Sequence, residues 1–175
     1  DAVCAWIDKV HAMHPDCTFS VETKIDGLSM SLRYVKEADG KLHLQLAETR
    51  GDGLIGEDVT ANARVVGDVL QVIDLPYDSL ELRGEVYMSH EDFEKYNEEQ
   101  ERLEKKTAAN PRNLAAGTLR QLDTSITKKR GLKMFIFNVQ DGPDVIMESH
   151  GRGMDILKAA GVPVVYHKTV SYTHL

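Results

Sequence analysis

Hydrophobic and polar residues alternate in three segments near the start of the chain. Every second residue is hydrophobic in residues 28–34 and again in residues 42–46, with a turn at Ala38-Asp39-Gly40 between them. Successive side chains of a β-strand point to opposite faces of a sheet, so a period of two predicts half-buried strands. A similar alternation in residues 19–24 predicts another strand. Together the three segments indicate an antiparallel meander.

Helical spacing of hydrophobic residues marks other parts of the chain. In residues 2–14 the apolar positions recur at three- and four-residue intervals, and Pro15 ends the run. Helical spacing also predicts helices at about 57–66 and 148–160, and capping residues at Ser89 and Asn110 predict helices that begin at residues 90 and 111. Hydrophobic segments at 80–88 and 132–139 are predicted to be strands. This order lacks a regular βαβ rhythm, so it favours an α+β fold with antiparallel sheets flanked by helices.

Composition is that of an ordinary globular domain. The 175 residues are 42% hydrophobic and 28% charged, and the net charge is -7. A negative net charge argues against a protein whose whole surface binds nucleic acid, but it is compatible with a local stripe of basic residues. Lys128-Lys129-Arg130 is one such cluster, and it fits either DNA phosphates or a solvated helix end. Two cysteines and no long apolar run suggest a reducing cytoplasm and no membrane span.

One spacing invites a metal site. His11, His14 and Cys17 are three residues apart, but Pro15 interrupts the path between the histidines and the cysteine. A closed zinc site normally needs four ligands, and no Cys-x2-Cys pair completes this set. We therefore expect no metal bound by these residues.

Lys24 stands between two carboxylates, Glu22 and Asp26, at two-residue spacing, and Gly27 follows. On one continuous strand all three side chains would share a face. The arrangement fits either a nucleophilic lysine or a surface ladder of ion pairs. A free lysine has a pKa near 10.4, and neighbouring carboxylates favour the charged amine. A nucleophilic role would therefore require positive charge nearby, from Mg²⁺ or from arginines around a substrate phosphate.

Lys24-Ile25-Asp26-Gly27 resembles the Lys-x-Asp-Gly signature of covalent nucleotidyltransferases, a group that includes DNA ligases, RNA ligases and capping enzymes. Further blocks follow in the order typical of the bacterial NAD-dependent DNA ligases: Thr49-Arg50-Gly51-Asp52-Gly53, Gly56-Glu57-Asp58-Val59-Thr60, Arg83-Gly84-Glu85-Val86, Asn110-Pro111-Arg112-Asn113 and Arg120-Gln121-Leu122-Asp123. The chain is therefore similar to the adenylation domain of that family over nearly all of residues 1–170.

The resemblance implies an antiparallel, ATP-grasp-like covalent nucleotidyltransferase fold. It also implies that the chain stops before the family's Glu/Asp-Gly-Val-Val-Ile-Lys block and its last lysine motif. We expect residues 1–170 to form a partial adenylation domain that neither self-adenylates efficiently nor seals nicks alone. Residues 171–175 continue no earlier pattern and are interpreted as a cloning remnant or disordered tail.

The implied activity is nick sealing in duplex DNA during replication and repair. AMP would pass from NAD to a lysine, with release of nicotinamide mononucleotide, and then to a DNA 5′-phosphate. The implied requirements are NAD and Mg²⁺, with zinc confined to a four-cysteine module absent from this chain. We expect a cytoplasmic monomer that binds nicked DNA and no membrane. An ATP-dependent ligase, a capping-type transferase or a non-catalytic binding module are the alternatives.

The resemblance assigns the covalent step to the Lys-Ile-Asp-Gly motif. Lys24 occupies the position of the lysine that attacks the α-phosphate. Asp26 would orient that lysine, take part in proton transfer or place the metal. Glu22 matches the acid that helps to hold the adenylate, and a carboxylate suits the adenine amino group because that group is a donor.

Other positions match nucleotide contacts of the family. Arg50 corresponds to the arginine of the glycine-rich loop, and Glu85 to the acid that accepts from a ribose hydroxyl, with Gly84 leaving room. Phe137 falls where the family places an adenine-stacking aromatic, commonly Tyr. Without the family resemblance, Arg50 fits a solvated turn, Glu85 fits the solvent face of a strand, and Phe137 fits the hydrophobic core.

Arg112 and Arg120 match arginines that serve the nicotinamide mononucleotide or DNA phosphates. Eight residues on a helix correspond to about 80° around its axis, so we expect both to share one side. Ala115-Ala116-Gly117 would keep that helix slim enough for close approach. Surface arginines on a packing helix are the alternative.

Overall fold

A computed structural model describes residues 1–51 and 56–172. Its elements in chain order are α1 (Ala2–Met13), β1 (Thr18–Glu22), β2 (Leu28–Lys36), β3 (Leu42–Thr49), α2 (Thr60–Ala63), β4 (Val72–Ile73), β5 (Ser79–Tyr87), α3 (His90–Arg102), α4 (Pro111–Leu119), α5 (Thr124–Lys129), β6 (Lys133–Asp141), α6 (Asp144–Met147), α7 (His150–Ala159) and β7 (His167–Ser171). They form two compact units: residues 1–24 together with residues 166–172, and Ile25–Val165.

The first unit consists of α1 and a two-stranded antiparallel sheet of β1 and β7. The Asp1 side chain caps α1 by accepting from the backbone N–H of Val3 at 2.7 Å. Trp6 on the helix makes an edge-to-face contact with Phe19 of β1, with ring centroids 5.9 Å apart. This geometry is favourable because the partly positive edge of one aromatic ring is attracted to the partly negative face of the other.

Residues of the expected tail contribute to this unit. Ser171 ends β7, where it pairs with Thr18. Tyr172 stacks on His11 with centroids 3.9 Å apart and donates a 2.8 Å hydrogen bond to Asp8. These two residues therefore pack as part of the first unit, whereas residues 173–175 lie outside the described part of the chain.

The second unit is built on a five-stranded antiparallel sheet in the order β4-β3-β2-β5-β6. One face of the sheet is apolar. Met30, Leu32 and Tyr34 of β2 are buried on it beside Leu82 and Val86 of β5. The predicted alternation is therefore confirmed in residues 28–34 and at Leu42 and Leu44, and the burial follows from the two-residue period of a strand. The register then shifts within β3, so Ala47 is buried and Leu46 is only half-buried.

Helices pack against this sheet after local start signals. Ser89 caps α3 and Asn110 caps α4, each by accepting a backbone N–H three residues on. Pro111 stands at the first turn of α4, where the missing N–H costs nothing. The expected α+β architecture with antiparallel sheets is thus confirmed. Within the described residues, no helix has both the length and the apolar character needed to cross a bilayer.

Two sequence-based predictions are wrong. β1 pairs with β7 and not with β2, so residues 19–46 do not form one meander. Strand pairing between segments this far apart in the chain leaves no local signal. The helix expected at 57–66 is reduced to α2, because residues 56–59 instead run along β3 with hydrogen bonds to Thr49 and Ala47.

Candidate active site

The Lys-Ile-Asp-Gly motif lies in the connection between β1 and β2 and not on a strand. β1 ends at Glu22, and residues 23–27 belong to no strand before β2 begins at Leu28. The expectation that Glu22, Lys24 and Asp26 share one strand face is therefore wrong, since β1 stops before Lys24. The boundary between the two compact units also falls inside the motif, directly after Lys24.

Lys24 and Glu22 belong to the first unit. Lys24 is exposed and is the last residue of that unit before Ile25. Glu22 pairs with His167 in the two-stranded sheet and accepts a 2.8 Å hydrogen bond from the Ser20 hydroxyl. Because one residue separates Lys24 from Asp26, chain connectivity alone keeps their Cα atoms within about 7 Å.

Gly27 fits tightly against β5 of the second unit. A Cβ built on Gly27 would lie 2.1 Å from the Val86 carbonyl oxygen and 3.1 Å from Cγ of Glu85. Real Cβ atoms do not approach a backbone oxygen so closely, so only glycine allows this backbone contact. The close approach brings the second half of the motif next to Glu85, one of the sequence-predicted site residues.

Arg112 connects α4 to the same part of the motif. It lies at the second residue of α4, and its Nη1 donates to Oδ1 of Asp26 at 3.0 Å. Both side chains stay well exposed, at 57% for Arg112 and 72% for Asp26. The second unit therefore assembles Asp26, Gly27, Glu85 and Arg112, two acids and one guanidinium around a glycine.

A half-exposed sheet face extends from Glu85. Strand register aligns Ser29 of β2, Glu85 of β5 and Phe135 of β6 across three neighbouring strands. Arg83, two residues before Glu85 and on the same face, donates from Nε to the Ser29 hydroxyl at 3.0 Å. Charged, polar and aromatic side chains thus share this face, opposite the apolar face of the sheet.

Arg50 leaves β3 at this end of the sheet. It is exposed and follows Thr49, which pairs with Met30 next to Ser29. Gly51 then takes a left-handed conformation with φ of 56°, as a tight turn requires. The rest of the predicted glycine-rich loop, residues 52–55, lies outside the described residues.

Gly84 does not leave room beside Glu85, contrary to our interpretation. It lies on the apolar face of β5, where a Cβ would stand 2.5 Å from Met134 Cε and from the Phe135 carbonyl oxygen. Neighbouring residues of a strand point to opposite faces, so Gly84 and Glu85 are on opposite sides of the sheet. The missing side chain makes space for Met134 in the core.

Phe137 occupies an irregular position on β6. The register shifts between Arg83 and Gly84, which pair with Asn138 and Ile136, and Phe137 falls between those partners. It is half-buried. Phe137 is therefore not aligned with Glu85, because the irregularity interrupts the strand alternation at this point.

The sequence analysis missed an aromatic pair on the half-exposed face. Phe135 is aligned with Glu85, and its ring stacks on Tyr87 at 5.6 Å between centroids and 8° between planes. Burial, and next the nearby carboxylates of Asp68 and Asp92, raise the pKa of Tyr87 above its ordinary value. The pair depends on strand register, which single-strand patterning does not indicate.

Arg120 and Arg112 contact different residues. It is the C-cap of α4, just beyond the last helical residue, and its Nε donates to Oε2 of Glu57. Arg112 pairs instead with Asp26. The two arginines thus have separate carboxylate partners. Glu57 and Arg120 are 63 residues apart in sequence, so no short segment of the chain indicates that they pair.

Metal-binding side chains do not cluster in the described part of the chain, where no three His, Cys, Asp or Glu residues are placed to hold an ion. Of the residues considered for zinc, His11 is stacked on Tyr172. The basic cluster is also engaged: Lys129 pairs with Glu99 at 2.9 Å, and Arg130 lies over the Tyr96 ring.

Comparison with known proteins identifies relatives of this chain. The family model for the NAD-dependent DNA ligase adenylation domain matches residues 1–174. A DNA ligase of Jannaschia sp. (strain CCS1) is 48% identical over 149 residues, which is 85% of this chain and 19% of that protein. A DNA ligase of Clostridium kluyveri (strain ATCC 8527) is 43% identical over 164 residues, 94% of this chain and 24% of that protein.

A third relative, a DNA ligase of Bartonella bacilliformis, is 56% identical over 120 residues, 67% of this chain and 16% of that protein. The chain therefore spans between about a sixth and a quarter of the length of these curated relatives.

Proposed function

This chain belongs to the NAD-dependent DNA ligase adenylation domain family, as its motif blocks predicted, and we propose that it carries the AMP-transfer step of a nick-sealing ligase. Lys24 is the residue that takes AMP from NAD. The full-length protein then transfers AMP to a DNA 5′-phosphate and closes the nick. An ATP-dependent ligase, a capping-type transferase and a non-catalytic module are not favoured, because the family model is that of the NAD-dependent enzymes.

The contact between Arg112 and Asp26 is the observation that supports this proposal most directly. It joins two motif blocks that are 86 residues apart and leaves both side chains accessible. An exposed ion pair contributes little to stability, so packing alone does not explain the convergence. A guanidinium beside the nucleophile's motif suits a reaction on a phosphate, because its fork of donors matches phosphate oxygens.

The first step transfers an adenylyl group to nitrogen. The uncharged amine of Lys24 attacks the α-phosphorus of the AMP half of NAD, and a P–N bond forms. The bond from that phosphorus to the bridging pyrophosphate oxygen breaks, and nicotinamide mononucleotide leaves with the electron pair. The proton released from the amine passes to solvent or to a carboxylate. Asp26 is the candidate acceptor because one residue separates it from Lys24.

The later steps return the lysine to its starting state. An oxygen of the DNA 5′-phosphate attacks the phosphorus of the lysyl-AMP, the P–N bond breaks and the amine regains a proton. The DNA 3′-hydroxyl then attacks the 5′-phosphate, a phosphodiester forms and AMP leaves. Arg112 and Arg120 contact phosphates of the nicotinamide mononucleotide or of DNA during these steps.

The remaining site residues hold the nucleotide. Glu22 accepts from the adenine amino group, and Glu85 accepts from a ribose hydroxyl. Arg50 contacts the nucleotide from the glycine-rich loop, and Phe137 offers an aromatic face to adenine. The accessibility of Arg50 and the half-exposed positions of Glu22, Glu85 and Phe137 support these roles.

Magnesium fits the chemistry of these residues. Mg²⁺ is usually held by one or two carboxylates together with substrate phosphates, so no dedicated protein cage is required. Asp26 is an accessible carboxylate two positions after Lys24 and would hold the ion. When bound, Mg²⁺ offsets the negative charge that develops at the phosphoryl centre.

The finer points of fold and context are also part of the proposal. The antiparallel sheet and its helices form part of a covalent nucleotidyltransferase fold that continues beyond this chain. The full-length enzyme works as a cytoplasmic monomer on nicked duplex DNA, and its zinc is held outside this chain. The short coverage of the curated relatives supports a larger parent protein.

Intact mass spectrometry of the full-length ligase tests the proposal. Incubation with NAD and Mg²⁺ should add the mass of one AMP, the adduct should be acid-labile, and peptide mapping should place it on Lys24. Lys24→Arg keeps the positive charge and removes the nucleophile, so it should abolish the adduct. Lys95→Arg, on exposed α3, is the matched control and should form it normally. An adduct on another residue, or labelling by ATP and not by NAD, contradicts the proposal.

A further inference from the structure

Glu57 forms an ion pair with Arg120, one of the two arginines that we assign to phosphate contacts. Oε2 of Glu57 accepts from Nε of Arg120, and the side chains are 55% and 45% exposed respectively. The pair lies on the wall of a cleft of about 660 Å³ that Asp58, Arg64 and Leu122 also line. Neither packing in a core nor a bond to a neighbouring helical turn accounts for this contact.

The backbone around Glu57 is fixed to β3. Its carbonyl accepts from the Thr49 N–H at 3.0 Å, and its own N–H donates to the Thr49 hydroxyl at 3.2 Å. Two residues on, the Val59 N–H donates to the Ala47 carbonyl at 2.8 Å. A Cβ on Gly56 would lie 2.4 Å from the Thr49 carbonyl oxygen, so this segment approaches β3 as closely as a glycine allows. The Glu57 carboxylate therefore projects from a well-anchored backbone.

The backbone that carries Arg120 is anchored from the other side. The carbonyl of the next residue, Gln121, accepts from Nδ2 of buried Asn62 at 2.7 Å. Oδ1 of Asn62 in turn accepts from the buried Thr127 hydroxyl at 2.7 Å. The C-terminal end of α4 also favours a cation at this position, because the helix carbonyls point towards it. Two anchored backbones thus meet through one pair of exposed side chains.

The ion pair with Glu57 uses only one nitrogen of the Arg120 guanidinium, so other donors of that group can bind a second partner. Glu57 engages Nε, whereas most of the donors of an arginine are on its two terminal nitrogens. A carboxylate at Nε restricts rotation of the side chain and occupies one edge of the guanidinium, so the donors on the opposite side stay available to another group. Surface ion pairs contribute little to stability, so orientation is the consequence that the geometry favours.

We propose that Glu57 is a positioning residue that holds the Arg120 guanidinium in the orientation in which it contacts a DNA phosphate during nick sealing. This inference rests on the proposed function, because it takes the phosphate role of Arg120 from there. Glu57 itself touches no substrate. Its effect passes through Arg120, so it disappears when Arg120 is absent.

A double-mutant cycle in the full-length ligase tests this dependence. The substrate is a nick whose 5′ end already carries AMP, so the assay requires neither NAD nor the covalent step at Lys24. Arg120→Ala and Glu57→Ala should each slow sealing by about tenfold or more, as loss of a well-placed phosphate contact does. The double variant should be no slower than Arg120→Ala alone. Glu57→Gln, which keeps an acceptor oxygen, should restore part of the rate.

A merely structural role for Glu57 would give a different pattern. The melting temperatures of the Glu57 variants should stay within about 3 °C of the parent, because the pair is exposed. Glu91→Gln removes another exposed ion pair, that with Lys95, and should seal at the parent rate. Independent, multiplying effects of Glu57→Ala and Arg120→Ala would overturn the inference, and so would normal sealing by Glu57→Ala beside a defective Arg120→Ala.

Failure of the proposed function gives a separate result. If Arg120→Ala seals the adenylated nick at the parent rate, the phosphate role of Arg120 is wrong and the positioning role of Glu57 falls with it. If the single and double variants behave as expected but Lys24 forms no adduct with NAD, only the proposed covalent step is wrong.

Discussion

Oδ1 of Asp26 and Nη1 of Arg112 lie 3.0 Å apart although 86 residues separate them in the chain. The contact joins the Lys-Ile-Asp-Gly motif to the first turn of α4. Since both side chains are more than half exposed, the pair contributes at most about 1 kcal/mol to the free energy of unfolding. Its main consequence is geometric, because it determines which cation lies beside the motif.

Asp26→Asn should therefore separate stability from activity. We expect the free energy of unfolding to change by less than about 1 kcal/mol. The rate of AMP transfer from NAD to Lys24 should fall by about a hundredfold or more, as is usual when a proton-transfer group is lost. Urea unfolding and single-turnover labelling of the full-length enzyme measure the two quantities.

Asp78→Asn provides the matched control for that experiment. Asp78 forms a comparable exposed ion pair with Lys36, 3.1 Å long, at a distance from the motif. The variant should label at the parent rate. Equal labelling by Asp26→Asn and the parent would refute a role of this carboxylate in AMP transfer.

Gly27→Ala should destabilise the protein through a backbone clash. The new Cβ would meet the Val86 carbonyl oxygen at 2.1 Å, and a backbone atom cannot move aside cheaply. Overpacking of this kind costs about 1–3 kcal/mol. Because the motif would have to shift away from β5, AMP transfer should be lost as well. Denaturant unfolding measures the first effect and labelling by NAD the second.

Gly67→Ala is the control for a glycine with open space, since no heavy atom lies within 4 Å of its Cβ position. It should label normally. A Gly27→Ala variant of unchanged stability would show that the motif does not lie against β5.

Gly117→Ala should raise stability and weaken DNA binding. Gly117 lies exposed in α4, and no heavy atom is within 4 Å of its Cβ position. Alanine in a helix is better than glycine by about 0.5–1 kcal/mol, so the melting temperature should rise. If small residues between Arg112 and Arg120 let a phosphate backbone approach, the KM for nicked DNA should also rise. A stabilised variant with an unchanged KM would exclude close approach at this helix.

Tyr34→Phe should change how stability depends on alkaline pH. Burial raises the pKa of the Tyr34 phenol above its ordinary value of 10.0, so the unfolded chain loses this proton before the folded protein does. The phenol's contribution to stability is fully present below pH 10 and is lost as the pH rises towards the raised folded pKa. The variant lacks the ionisable group, so this part of the alkaline loss should vanish.

At neutral pH the same variant should be less stable. The Tyr34 hydroxyl donates to the Leu70 carbonyl at 2.8 Å, and its removal costs about 0.5–1.5 kcal/mol. Urea unfolding between pH 7 and pH 11 should show the gap between parent and variant shrinking above pH 10. Tyr77→Phe, which keeps Tyr34, should retain the alkaline loss. A constant gap across the range would contradict a buried, protonated phenol.

Features that are determined by residues close together in sequence, such as strand β2 and the starts of α3 and α4, were predicted correctly. The alternation of residues 28–34 predicted β2 and its buried side, because a strand's side-chain period is a local property. Ser89 and Asn110-Pro111 predicted the starts of α3 and α4, because a cap acts on N–H groups two or three residues away. The motif blocks also identified the family, since each block is contiguous in sequence.

Contacts between distant residues were decided only in three dimensions. The pairing of β1 with β7, the approach of Gly27 to Val86 and the partners of the two arginines join segments far apart in the chain. Such contacts depend on strand register and on how whole elements pack, and these are collective properties of the folded chain. Residue order therefore predicted the family and the local elements, and tertiary structure decided which carboxylate each arginine faces.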